Sequence, residues 1–206
     1  MHINKVLIII FAFLLSACSN NNSENNPYFL GSDSSKFLKE VDSNNSYYKN
    51  IKKWEQELQL ASIENGSKGF EMRLWYYPEL LLRKKLFVVT YSGSNWSAKE
   101  YVVTVDLEGK IKKKPDLYIE LTPRSGWNVF KTKLYELRIM QLPNYSYLQG
   151  DILLDDGITY IVEVANQNAI RFSWFSNPQQ NIVNNKSAKH WQEIVNLFNS
   201  EFNNLN

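Results

Sequence analysis

Glu71, Glu120 and Glu163 each stand in a stretch of β-forming residues. Two carboxyl groups held about 5 to 9.5 Å apart are what glycoside hydrolysis requires, so a carboxylate-based hydrolase is one chemistry this chain can be asked about. Strand glutamates ordinarily occupy a solvated face, which makes that the less favoured expectation. Beyond His2 the only histidine is His190, beside Trp191, and no G-x-S-x-G stretch supplies a nucleophile for a Ser/His/Asp triad. His190 is therefore expected at a surface or in helix packing. Asp151, Asp155 and Asp156 precede Gly157, but Ile152 and Leu154 occupy positions where a calcium loop needs oxygen ligands, and a hairpin turn accounts for them better. A zinc site draws on several His or Cys ligands, and a phosphate cradle on a glycine-rich loop; the sequence has neither. The expectation is no catalytic residue, no metal and no cofactor.

Aromatic density is the second chemical feature, with 6 Trp, 12 Tyr and 11 Phe. Trp75-Tyr76-Tyr77, Trp96, Tyr145 with Tyr147, and Trp174-Phe175 place neighbouring rings on strand-like stretches, where successive side chains point to opposite faces. Trp75, Tyr77, Trp96 and Trp174 are the candidate binding aromatics. Exposed, such rings offer rigid contact area with a polar edge to a protein partner, or stack on sugars. If helices cover both faces of the sheet, they are core instead.

The one cysteine, Cys18, follows an apolar run over residues 6–15 and the small residues Ser16 and Ala17, with Lys5 ahead of the run. This is the layout of a secretory signal, and it stops well short of the ~20 apolar residues that span a bilayer. Leu15-Ser16-Ala17-Cys18 resembles the lipobox of bacterial lipoproteins. That resemblance implies cleavage before Cys18 and a diacylglyceryl group on its thiol, so that Cys18 is a fatty-acylated tether and not a catalytic thiol. Ser19 stands where an aspartate would signal retention in the inner membrane, so the resemblance points to the outer membrane. Residues 19–27 are Asn, Ser and Glu closed by Pro27, too polar to collapse, and read as a flexible spacer reaching to about Asp33.

Removal of residues 1–17 takes away Lys5 and leaves 22 basic against 21 acidic side chains, a formal charge of +1. Such a balance generates no long-range field for gathering nucleic acid. Lys112-Lys113-Lys114, between Gly109 and Pro115, reads as a solvated turn or strand end. Without a cysteine, the part from residue 34 to 206 holds no disulfide; its size and apolar content suit one domain.

The elements that must position these groups follow from periodicity. Tyr47, Ile51, Trp54, Leu58 and Ala61 recur at helical spacing over residues 46–63, with Asn65-Gly66 as a stop and a short turn containing Phe37, Leu38 and Val41 ahead. Phe70, Met72, Leu74 and Tyr76 then alternate with Glu71, Arg73, Trp75 and Tyr77, predicting a strand with one apolar face. Residues 86–91 and 99–107 around the turn 92–95 predict an antiparallel hairpin, and residues 117–121 a further strand. Phe130, Leu134, Leu137 and Met140 predict a helix over 127–141, ended by Pro143. Residues 151–154, 158–165 and 169–175 predict strands, and Asn177-Pro178 ends that meander. Trp191, Ile194, Val195, Phe198 and Phe202 form the stripe of a terminal helix with Ser187 as N-cap. Strands grouped together with helices before, between and after them imply an α+β domain, a mainly antiparallel sheet with an N-terminal, a middle and a C-terminal helix packed on it.

The series Trp127, Phe130, Leu134, Leu137, Leu142-Pro143, Asp156-Gly157, Tyr160, Glu163 and Asn177-Pro178 resembles uncharacterised bacterial cell-envelope domains, in which a helix precedes a hairpin and a closing helix. The resemblance implies a fold and carries no activity. The functional expectation is a lipid-anchored envelope lipoprotein that binds a protein partner without catalysis. A carbohydrate-binding or substrate-capturing lipoprotein is the alternative, and the hydrolase the remaining one.

Overall fold

The structure, a computed structural model, describes residues 38–92, 94–113, 118–143 and 156–202. The N-terminal apolar run, Cys18 and its lipobox, the spacer, Tyr145 with Tyr147 and the expected strand 151–154 lie outside the described residues.

The expected α+β architecture is present. The strands are β1 (Leu38–Glu40), β2 (Phe70–Pro78), β3 (Arg83–Ser92), β4 (Asn95–Val105), β5 (Ile111–Lys113), β6 (Ile119–Leu121), β7 (Ile158–Ala165) and β8 (Ala169–Ser176). They form one sheet in the order β1-β8-β7-β2-β3-β4, with β5 and β6 both paired to the outer side of β4. Every pairing is antiparallel except that of β1 with β8. The helices are α1 (Ser46–Glu57), α2 (Trp127–Glu136), the single turn α3 (Pro178–Asn181) and α4 (Lys186–Phe202). No helix among the described residues is long and apolar enough to cross a membrane.

Helices cover both faces of the sheet. On one, Tyr48, Ile51 and Trp54 of α1 pack on Trp75, Leu86, Val88, Val103, Ile161 and Phe172. On the other, Phe130 and Leu134 of α2 and Trp191, Ile194, Phe198 and Phe202 of α4 pack on Met72, Leu74, Phe87, Val89, Val162 and Phe175. Each of these large side chains contributes about 1.5–3 kcal/mol by leaving water, which is what holds the layers together. The double cover corrects the expectation that β2 has one apolar face: Arg73 and Trp75, on its second face, are buried as completely as Met72 and Leu74.

Several boundaries differ from expectation for local reasons. Helix α1 ends at Glu57, before Asn65-Gly66, because Gln59 takes φ 59° and the Leu60 N–H turns back to the Glu55 carbonyl at 2.9 Å. Residues around Leu38 form a strand where a turn was expected, whereas the lysine run stands at the end of the short edge strand Ile111–Lys113, as read from the sequence. The middle helix stops at Glu136, and Arg138 at φ 46° leads into a separate 3-10 turn, Ile139–Gln141. The N-cap of α4 is Asn185, whose Oδ1 accepts from the Ser187 and Ala188 N–H groups at 3.0 and 3.2 Å, and not Ser187.

Asp156-Gly157 and Asn177-Pro178 turn out to be one packed unit. The Asn177 side chain accepts from the Ile158 N–H at 2.7 Å, and a Cβ on Gly157 would collide with the Asn177 amide. Pro178 then opens α3 instead of merely ending the strand.

Candidate functional site

A cleft of about 540 Å³ opens between the β3–β4 hairpin and α2. The hairpin supplies Tyr91, Asn95 and Trp96, with the tip turned by Ser94 at φ 92°, a conformation that L side chains seldom adopt. Tyr91 and Trp96 are cross-strand partners, and their rings stand 5.1 Å apart. Helix α2 supplies Trp127, Lys131 and Tyr135, four residues apart on one face, and beside them Asn128 and Thr132. This face borders the Phe130 and Leu134 stripe that enters the core, with Trp127 packed against it.

Trp96 and Trp127 meet near-parallel, with centroids 6.1 Å apart and planes inclined by 22°. Their inner edges pack on Phe70 and Phe130, so the pair is held from beneath and remains half-buried. Tyr135 is exposed at the rim. Rigid aromatic surface next to two carboxamides, a hydroxyl and an ammonium group suits recognition of an amphipathic ligand.

The structure does not gather the four expected binding aromatics into one site. Trp96 lies in the cleft. Trp75 is fully buried under α1 with its ring 5.4 Å from Trp54, which corrects its assignment as a binding group: it has no surface left to offer. Tyr77 and Trp174 sit half-buried on that same face, on either side of Tyr47 at 5.5 and 5.2 Å, and Tyr77 also stacks on Trp54. Tyr91, Trp127, Lys131 and Tyr135 were missed as site residues. The four-residue spacing of Trp127, Lys131 and Tyr135 was the signal, hidden because Trp127 also fits the apolar series of the helix.

A second polar assembly lies beneath α1. The Arg73 guanidinium contacts Glu55 at 2.8 Å and Glu71 at 2.6 Å, and donates to the Ala61 carbonyl at 2.5 Å. Lys52 donates to Glu55 at 2.8 Å and contacts Glu163 at 2.6 Å. Burial pushes Glu163 well above the usual carboxylate range, and the adjacent Glu55 adds to the effect. Burial also works to raise Glu55, but a hydrogen bond with Glu163 and the charges of Arg73 and Lys52 outweigh it and hold Glu55 low. Of the pair, Glu163 is thus the member driven toward its protonated form and Glu55 the one held toward its ionised form.

Glu71 and Glu163 both belong to this assembly, Glu71 through Arg73 and Glu163 through Lys52, while Glu120 lies exposed on β6 at the far edge. Glu163 has no solvent-accessible surface, and the charges of Glu55 and Glu71 are taken up by Arg73. The neighbouring cavity, lined in part by Lys52, Glu55 and Glu64, measures only about 80 Å³. The assembly fastens α1 to the sheet.

His190 is half-buried with Nε2 against the Leu137 carbonyl, in packing between α4 and the end of α2. Lys84 is buried with its ammonium group 3.9 Å from the centre of the Tyr77 ring and donating to the Pro78 carbonyl; burial lowers it to about 8. Among the described residues no group of three or more His, Cys, Asp or Glu side chains is placed to hold a metal ion. No family model, curated protein or solved structure matches this chain.

Proposed function

We propose that this protein is a lipid-anchored lipoprotein of the bacterial cell envelope, held at the outer membrane through Cys18, that captures a protein partner in the cleft between α2 and the β3–β4 hairpin without catalysing a reaction. The observation that supports it is the Trp96 and Trp127 pair, fixed from below and open at the rim beside Tyr135. Large aromatic groups held rigid lose little entropy on binding and supply most of the energy of an interface.

Photocrosslinking in cells tests it: a photoreactive residue replaces Tyr135 in the full-length chain, and Cys18→Ala releases the anchor. One dominant protein captured only from the anchored form is expected. Equal labelling of many proteins with and without the anchor would overturn the reading.

A second reading, glycan capture, is favoured by Asn95 and Asn128, whose amides flank the indole pair as hydrogen-bonding groups do beside a stacked sugar. Saturable glycan binding that is lost on Trp127→Ala, with no protein crosslinked, would replace the first reading by the second.

A further inference from the structure

We infer that helix α1 is a latch operated by pH, seated on the sheet while one of three carboxyl groups beneath it carries a proton and freed to lift when that proton is lost. The seat holds a fixed set of charges. Glu55, Glu71 and Glu163 share only two cations, Lys52 and Arg73, through the contacts described above. Lys52 and Glu71 stand at the rim, their side chains 16 and 15 % exposed, and offset each other. Inside, Glu55 and Glu163 are left with the single guanidinium of Arg73, at exposures of 3, 0 and 1 %. With every acid ionised, one negative charge would remain uncompensated out of reach of water, and a proton removes it.

Glu163 is the acid that takes the proton. Glu55 and Glu71 both contact the guanidinium, whereas Glu163 contacts Lys52, a cation it shares with Glu55. The other groups facing Glu163 do not replace that proton. Arg73 stands opposite on β2 and Phe172, uncharged, opposite on β8. Tyr48 of α1 gives its hydroxyl to Glu64, in the segment after the helix, at 2.5 Å; burial and the Glu64 carboxylate raise it, so it stays neutral while Glu163 titrates. Burial and the adjacent Glu55 push Glu163 itself upward.

Loss of the proton acts on α1 before the rest of the fold. Glu163 and Arg73 are carried by β7 and β2, each paired on both sides in the interior of the sheet, with α2 and α4 packed on its opposite face. Lys52 and Glu55 are carried by a helix of 12 residues, otherwise held by Tyr48, Ile51 and Trp54 and by the Trp54 indole N–H on the Gly109 carbonyl at 2.8 Å. The helix is the element that can yield, and lifting it lets water reach all five charged groups. It would also bare Trp75 and Tyr77, whose rings lie against Trp54, on the face of the sheet opposite the cleft.

The sign of the response follows from the proton. The closed form keeps a proton that the open form, with Glu163 near its ordinary 4.5, gives up. Between the open and closed values each unit of pH therefore multiplies the open population by about ten.

Hydrogen exchange of the full chain, followed by mass spectrometry from about pH 5 to 9 and corrected for the intrinsic pH dependence of amide exchange, tests the latch. In the wild-type chain, peptides from α1 should exchange faster than those from α4 and lose about tenfold of their protection per unit of pH. Glu163→Gln should flatten that loss. Glu71→Gln, at the rim, leaves two acids for two cations and should weaken it as well, so the inference stays testable if the buried substitution does not fold. Equal corrected rates in α1 and α4 would assign the proton to unfolding of the whole domain and overturn the latch. A slope common to the wild-type chain and both variants would place the proton outside this seat and do the same.

Discussion

Arg73 and Glu163 are directly opposed across the β2–β7 pair, yet each takes its nearest polar partner from α1: Arg73 pairs with Glu55, and Glu163 contacts Lys52. Helix α1 is thus fastened to the sheet by crossed polar contacts in addition to Ile51 and Trp54. Removing one member of a buried ionic group leaves the others uncompensated, which costs about 3–5 kcal/mol. Arg73→Ala, which strands Glu55 and Glu71, should lower the stability measured by urea unfolding by that amount. A loss below about 1 kcal/mol would mean that the charges rearrange without it.

The proton on Glu163 has a pH signature. Its folded value lies well above the ordinary 4.5, so the folded state keeps a proton that the unfolded state gives up. The stabilisation is complete below the unfolded value and is lost as pH rises toward the folded one. Glu163→Gln keeps a donor for Glu55 and cannot ionise. Urea midpoints taken from acid to alkaline pH should decline more steeply for the wild-type chain than for this variant, and parallel curves would place the proton elsewhere.

Helix α4 offers a test of a cap. Asn185→Ala removes the acceptor for two N–H groups and should cost about 0.5–2 kcal/mol, whereas Ser187→Ala should be nearly neutral. Thermal unfolding of the two variants decides between the positions, and equal losses would reject the assignment.

For the cleft, Trp127→Ala should reduce partner capture at least about tenfold, the effect of removing an aromatic anchor. Val129→Ser, exposed on another face of α2, should leave capture unchanged. Crosslink yield as a function of expression level reads both, and equal losses would move the binding surface away from the cleft.

The parts of this fold legible in the sequence are those governed by local period. The alternation of β2, the hairpin around residues 92–95, the limits of β7 and the apolar stripe of α4 all depend on near neighbours. Glu71 and Arg73 read as a solvated face because alternation reports which residues share a face, not what covers it. Their burial depends on α1, a distant segment. Strand β1 was missed because three residues are too few to show a period and its partner, β8, lies near the other end of the chain. The cleft fell between these cases: Trp96 was visible as an isolated tryptophan, whereas Trp127 was absorbed by the core pattern of its helix.

The strand order also bears on how the chain folds. Strands β2, β3 and β4 can pair as soon as they are synthesised, but the other edge of β2 must wait for β7, since Glu71 pairs with Ala165 and Pro78 with Ile158. Until then the backbone N–H and C=O groups along that edge of β2 stand unpaired in the nascent protein, and such long-range pairing is intrinsically slow to form. The interval before residue 165 becomes available is therefore when the chain is most exposed to aggregation, and a holding chaperone would act on that edge of β2.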